Sequence, residues 1–139
     1  MTRAAWPSPE PGDILWCRFP QRARDLAGPK PRPALVMEVI EAEDGVAVRV
    51  AYGTSQKLVQ LVAGEFAIRK NDHPAAYALA GISYDTKFDL RRAVLLSWNE
   101  NFFAVPPQPR FGQTPKLGTL HASMIKAVKA ALGTARARG

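Results

Sequence analysis

The chain has 139 residues, 47% of them hydrophobic and 22% charged, a size and balance that suit one globular domain with its own core rather than two. Apolar runs are short and broken by Pro, Gly or charge, so no segment suits a membrane span, and Met1-Thr-Arg-Ala-Ala-Trp6-Pro lacks the apolar stretch of a secretory leader; the expectation is a cytoplasmic protein. A single cysteine, Cys17, excludes an intramolecular disulfide and a cysteine-rich zinc site, and a net charge of +7 favours polyanionic partners.

Two Pro-rich stretches, Trp6 to Gly12 and Gly28 to Pro33, each precede an apolar run rich in β-formers, which is how strands are punctuated. The first two strands are expected at Asp13 to Phe19 and Ala34 to Ile40. Glu41-Ala-Glu-Asp-Gly45 then turns into Val46 to Tyr52, where Val46, Val48 and Val50 alternate with Arg49 facing away, the period of a half-buried strand. Gly53 closes it. Further strands are predicted at Lys57 to Leu61, Phe66 to Ile68, Ala93 to Trp98 and Phe102 to Val105. Between them a short helix is predicted over 72–81, capped by Asp72 or Asn71, with Pro74 in the first turn and Gly81 at the end. Ile125, Val128 and Leu132 recur at helical spacing, which predicts a C-terminal helix ending at Gly133. The expected whole is one domain over 1–139, with residues 1–10 flexible and 134–139 a frayed basic tail. Short strands with tight turns suggest a small, strongly bent sheet or partly closed barrel of the SH3-like kind, mainly β with a C-terminal helix.

The charge is unevenly spread. No acid follows Glu100, while Arg110, Lys116, Lys126, Lys129, Arg136 and Arg138 do; a second cluster, Arg18, Arg22, Arg24, Lys30 and Arg32, meets only Asp25. The phosphate-cradling Gly-Lys-Ser/Thr loop, the His-Glu-x-x-His helix and the Gly-x-Ser-x-Gly elbow are missing. His73 and His121 each read as local hydrogen-bonding residues, and Cys17, in Ile14-Leu-Trp-Cys17, as a small buried hydrophobe. What remains is a pair of polar islands at strand ends. Lys30-Pro-Arg32-Pro33 holds its arginine in a stiffened, extended segment, and a planar fork of that kind suits phosphate oxygens. Tyr52-Gly-Thr54-Ser-Gln-Lys57 puts two hydroxyls, an amide and an amine behind a glycine that permits an unusual conformation or close approach. By chemistry alone, a turn at Thr54 and Ser55 and a surface ion pair at Arg32 are the favoured reading of these residues. Trp16, Phe19 and Tyr52 suit base stacking, although aromatics in strands more often build core.

Taken together, Pro11-Gly-Asp-Ile-Leu-Trp16-Cys-Arg-Phe-Pro20, Lys30-Pro-Arg-Pro-Ala-Leu-Val36 and Gly53-Thr-Ser-Gln56 resemble, in order and spacing, the PemK/MazF toxins of bacterial toxin–antitoxin systems. The likeness covers the first half; from about Asn71 onward the chain fits a longer PemK-like branch better than the short toxins. It implies an SH3-like barrel that forms a homodimer, cofactor-free and metal-independent cleavage of single-stranded RNA, and a cognate antitoxin covering the RNA site. Position by position, it implies that Arg32 and Thr54 are catalytic. Ser55, Gln56, Lys57, Lys30, Arg22, Arg24 and Phe19 are then the candidate RNA contacts. Two rival readings stay open: a gyrase-poison inhibitor on the same fold, which depends on a Trp-Gly-Ile chain end where this chain has Arg136-Ala-Arg-Gly139, and an SH3-like module that binds nucleic acid without cutting it.

Overall fold

The structure, a computed structural model, describes residues 6–18 and 30–138. Its frame is one six-stranded antiparallel sheet in the order β4-β5-β3-β2-β1-β6. In chain order the elements are β1 (Asp13–Cys17), β2 (Arg32–Ala42), β3 (Gly45–Thr54), β4 (Glu65–Ile68), helix α1 (Pro74–Ala80), β5 (Thr86–Ser97), β6 (Lys116–Thr119), a 3-10 turn (Ala122–Met124) and helix α2 (Ile125–Arg138). Among the described residues, no helix is long and apolar enough to cross a membrane.

Strand alternation buries both faces of the sheet. Ile14, Leu35, Ala51, Phe66, Ile68 and Phe88 form one cluster with Ala76 and Ala80 of α1, Met124 and Ala131. One residue out of phase, Leu15, Cys17, Ala34, Val36, Val48 and Val50 form the other, capped by Leu96, Trp98 and Phe103. Trp6 packs edge-on against Trp98, with ring centroids 5.3 Å apart, so the expected flexible opening is already anchored at its sixth residue. Irregular registers at Val36/Glu38 and Ala51/Tyr52 let the long strands turn as they cross the sheet.

Several expected boundaries move, each for an identifiable reason. Lys57 to Leu61 is no strand. It lies in a loop with Val59 and Leu61 exposed, and the Leu58 and Gln60 carbonyls accept hydrogen bonds from Arg69 and Lys87. Phe102 to Val105 reduces to a single bridge, Phe103 with Cys17, because Phe103 turns in to pack on Trp98 at 4.8 Å. β5 begins at Thr86, seven residues before the expected Ala93. Buried Lys87 and Asp89 hide its alternation, Lys87 being satisfied by Glu65 at 3.1 Å. β6 is unannounced by any long apolar run and exists because it completes the ladder on β1. In α1 the cap position is His73, not Asp72 or Asn71, with no side-chain capping bond. α2 continues through Gly133, whose φ is not positive, to Arg138, so it does not stop at Gly133. The Thr134 hydroxyl donates to the Ala131 carbonyl and accepts from the Gly64 N–H, tying the helix to the loop before β4.

Two glycines close the fold behind the cavity described below. Gly81 ends α1 in the left-handed conformation at φ 70°, and a Cβ there would fall on the Leu117 carbonyl of β6. Gly118 meets α1 in return: a Cβ on it would fall on the Leu79 and Ala80 carbonyl oxygens. Helix and strand thus touch backbone to backbone. Gly118→Ala has no flexible side chain to displace and is expected to lower stability by about 1–3 kcal/mol, read as an earlier urea midpoint with an unchanged slope.

Candidate functional site

Proline sets up the site. Pro31 and Pro33 bring no N–H to the start of β2, so the ladder is thin where β2 enters the sheet. Further along, Ala34 pairs with Tyr52, and Arg32 and Thr54 each lie two residues beyond that pair, at the same end of the sheet. Gly53 lets the two strands come close here. A Cβ there would come within 2.6 Å of the Pro33 carbonyl oxygen, 2.8 Å of the Phe88 ring and 3.1 Å of Thr86, so the glycine serves close packing, with no positive φ involved.

A cavity of about 460 Å³ opens at this end of the sheet. Arg32, Thr54 and Ser55 line it from the ends of β2 and β3, beside Trp16 of β1. Ile82, Ser83 and Tyr84 line it from the turn after α1, and Pro106, Pro107, Gln108 and Arg110 from the segment before β6. Two arginines and no Asp or Glu stand among its described lining residues, so its field suits an anion. No carboxylate pairs with Arg32 among the described residues. The Thr54 hydroxyl accepts a hydrogen bond from the Gln56 N–H at 3.2 Å, which fixes the oxygen and leaves its own hydrogen to be donated. Arg110 is held from behind by the Ala78 carbonyl at 3.4 Å.

The structure therefore gathers three of the residues expected from the sequence, Arg32, Thr54 and Ser55. Gln56 and Lys57, exposed in the loop after β3, and Lys30, exposed before β2, do not line the cavity. Phe19, Arg22, Arg24 and Asp25 lie outside the described residues. Trp16 joins neither buried cluster and forms cavity wall instead of core. Sequence reasoning missed Tyr84, Gln108 and Arg110. The one signal available was Pro106-Pro-Gln-Pro-Arg110, which repeats the proline-flanked arginine seen at Arg32.

Both histidines have local duties. His73 Nδ1 accepts from the Arg69 N–H at 3.2 Å, and His121 Nδ1 accepts from the Ser123 N–H at 3.0 Å. Neither lines the cavity. Among the described residues no three His, Cys, Asp or Glu side chains cluster as metal ligands would. No protein-family model and no curated protein sequence matches the chain, so the functional reading rests on these residues and their geometry.

Cys17 is fully buried, and burial pushes its thiol pKa up, away from the thiolate that nucleophilic attack requires. In native protein this thiol is expected to resist a thiol-reactive chromophore such as Ellman's reagent and to react only once urea unfolds the chain. Prompt reaction under native conditions would refute that assignment.

Proposed function

We propose that the chain is an endoribonuclease that cleaves single-stranded RNA at a phosphodiester held by Arg32 and Thr54. One observation carries the proposal: an arginine with no carboxylate partner among the described residues and a threonine with an oriented hydroxyl line one cavity, which has no acid among its described lining residues. The three motifs that resemble PemK/MazF toxins support the same reading, since Arg32 and Thr54 are the residues that likeness marks as catalytic. The mainly β sheet with its C-terminal helix is compatible with the SH3-like barrel of that family.

The chemistry follows from what the pair offers. The ribose 2′-oxygen attacks the adjacent phosphorus in line, the O2′–P bond forming as the P–O5′ bond breaks, to leave a 2′,3′-cyclic phosphate and a 5′-hydroxyl. The 2′-proton passes to water. Arg32 grips the non-bridging oxygens as charge builds on them and supplies a proton to the departing 5′-oxygen, regaining it from solvent. Thr54 donates its hydroxyl hydrogen to a phosphate oxygen. Positioning and charge stabilisation do most of the catalysis, with no protein nucleophile. A homodimer and a neutralising antitoxin belong to the same proposal through the family likeness.

Arg32→Ala and Thr54→Ala are each expected to slow RNA cleavage by roughly 10²–10³ with the thermal midpoint unchanged, while wild-type cleavage persists in EDTA and yields cyclic-phosphate ends. Cleavage by Arg32→Ala at the wild-type rate would overturn the assignment. A shifted but intact RNA band with wild-type protein would replace the nuclease by a non-catalytic RNA-binding module.

A further inference from the structure

The cavity has a second wall that the proposed chemistry does not use. We propose that this wall, built by residues 81–84 and 106–110, is a base-binding subsite in which Tyr84 stacks on one unpaired base of the RNA strand. The inference rests on the RNA-binding half of the function proposed above, not on cleavage.

Tyr84 lines the cavity and is 72% exposed, so the protein leaves most of this aromatic residue uncovered at the cavity's rim. Its backbone is held firmly. The Thr86 hydroxyl donates to the Tyr84 carbonyl at 2.8 Å, and the neighbouring Asp85 carboxylate accepts from the Lys70 N–H at 2.8 Å. The turn itself starts at Gly81, which is locked against Leu117 by the backbone contact described above. A ring presented from such a base loses little freedom when a partner stacks on it.

The other contributors suit the remaining parts of a nucleotide. Gln108 carries a donor and an acceptor on one exposed amide, the combination that reads the Watson–Crick edge of a base splayed out of a strand. Arg110, anchored through the Ala78 carbonyl, brings a second cation for a neighbouring phosphate. Prolines at 106, 107 and 109 stiffen the segment that delivers both. A volume of about 460 Å³ falls in the range of small-molecule sites and suits one everted nucleotide; bases inside a duplex present no free face to the Tyr84 ring. The ligand class is therefore single-stranded RNA, one base of which is read at Tyr84.

The test separates binding from cutting by using fluorescein-labelled, fully 2′-O-methylated single-stranded RNA, which lacks the attacking hydroxyl, with affinity read by anisotropy. Tyr84→Ala is expected to weaken binding about 5- to 150-fold, the range measured for loss of one stacked base, whereas Tyr84→Phe keeps the ring and the affinity. An abasic nucleotide walked along the probe should, at one position, weaken wild-type binding and erase the Tyr84→Ala penalty, as two halves of one contact must. Equal binding by wild type and Tyr84→Ala, or a Tyr84→Ala penalty that survives at every abasic position, would overturn the subsite. The two proposals fail separately: a wild-type protein that binds the probe with the Tyr84 signature but cuts no unmodified RNA keeps the subsite and loses the nuclease. One that cuts RNA while Tyr84→Ala binds normally does the reverse. Wild-type protein that binds no probe removes the subsite, while the nuclease stands or falls on cleavage of unmodified RNA.

Discussion

Everything at the working end of this molecule depends on how closely three strands pass at Gly53. The Pro33 carbonyl approaches from β2, and the Phe88 ring, itself stacked on Phe66 with centroids 5.5 Å apart, fills the space a side chain would need. With that contact made, the register of β2 against β3 has no slack, and a shift by one residue would carry each side chain to the other face. Arg32, first in β2, and Thr54, last in β3, are therefore brought to one cavity by packing deep in the core.

The cavity combines two kinds of support. Its first wall is strand, and the pleat gives its residues their spacing. Its second wall is loop, stiffened by backbone contact at Gly81 and Gly118 and by prolines between 106 and 109. Both bring an arginine and neither brings an acid among its described lining residues, while four acids pair with cations elsewhere: Glu65 with Lys87, Asp89 with Arg91, Asp13 with Lys116 and Glu38 with Arg49. Segregation of this kind, more than the net charge of +7, gives the cavity a field that favours anions.

How much was legible beforehand varied with the range of the interaction concerned. The valine alternation at 46, 48 and 50 and the proline and glycine punctuation are local signals, and β1, β2, β3 and α1 stand where they pointed. Arg32 and Thr54 were also marked, by proline flanks and by position next to Gly53. Lys57 to Leu61 misled because β-forming composition carries no ladder partner, and the loop's carbonyls found Arg69 and Lys87 instead. The start of β5 stayed hidden because Lys87 and Asp89 read as solvent-facing charges until Glu65 and Arg91 were found beside them.

The amino-acid sequence by itself determined the β-rich character, the early strands, the uneven basic charge and the chemistry of the two polar islands, since each depends on residues close along the chain. Tertiary structure alone decided that Trp16 is cavity wall, that β6 exists, and that Tyr84, Gln108 and Arg110 share a cavity with Arg32 and Thr54. Those outcomes join segments from opposite halves of the chain. Their proximity comes from which strands pair and where two backbones can touch, and no periodicity within either segment encodes it.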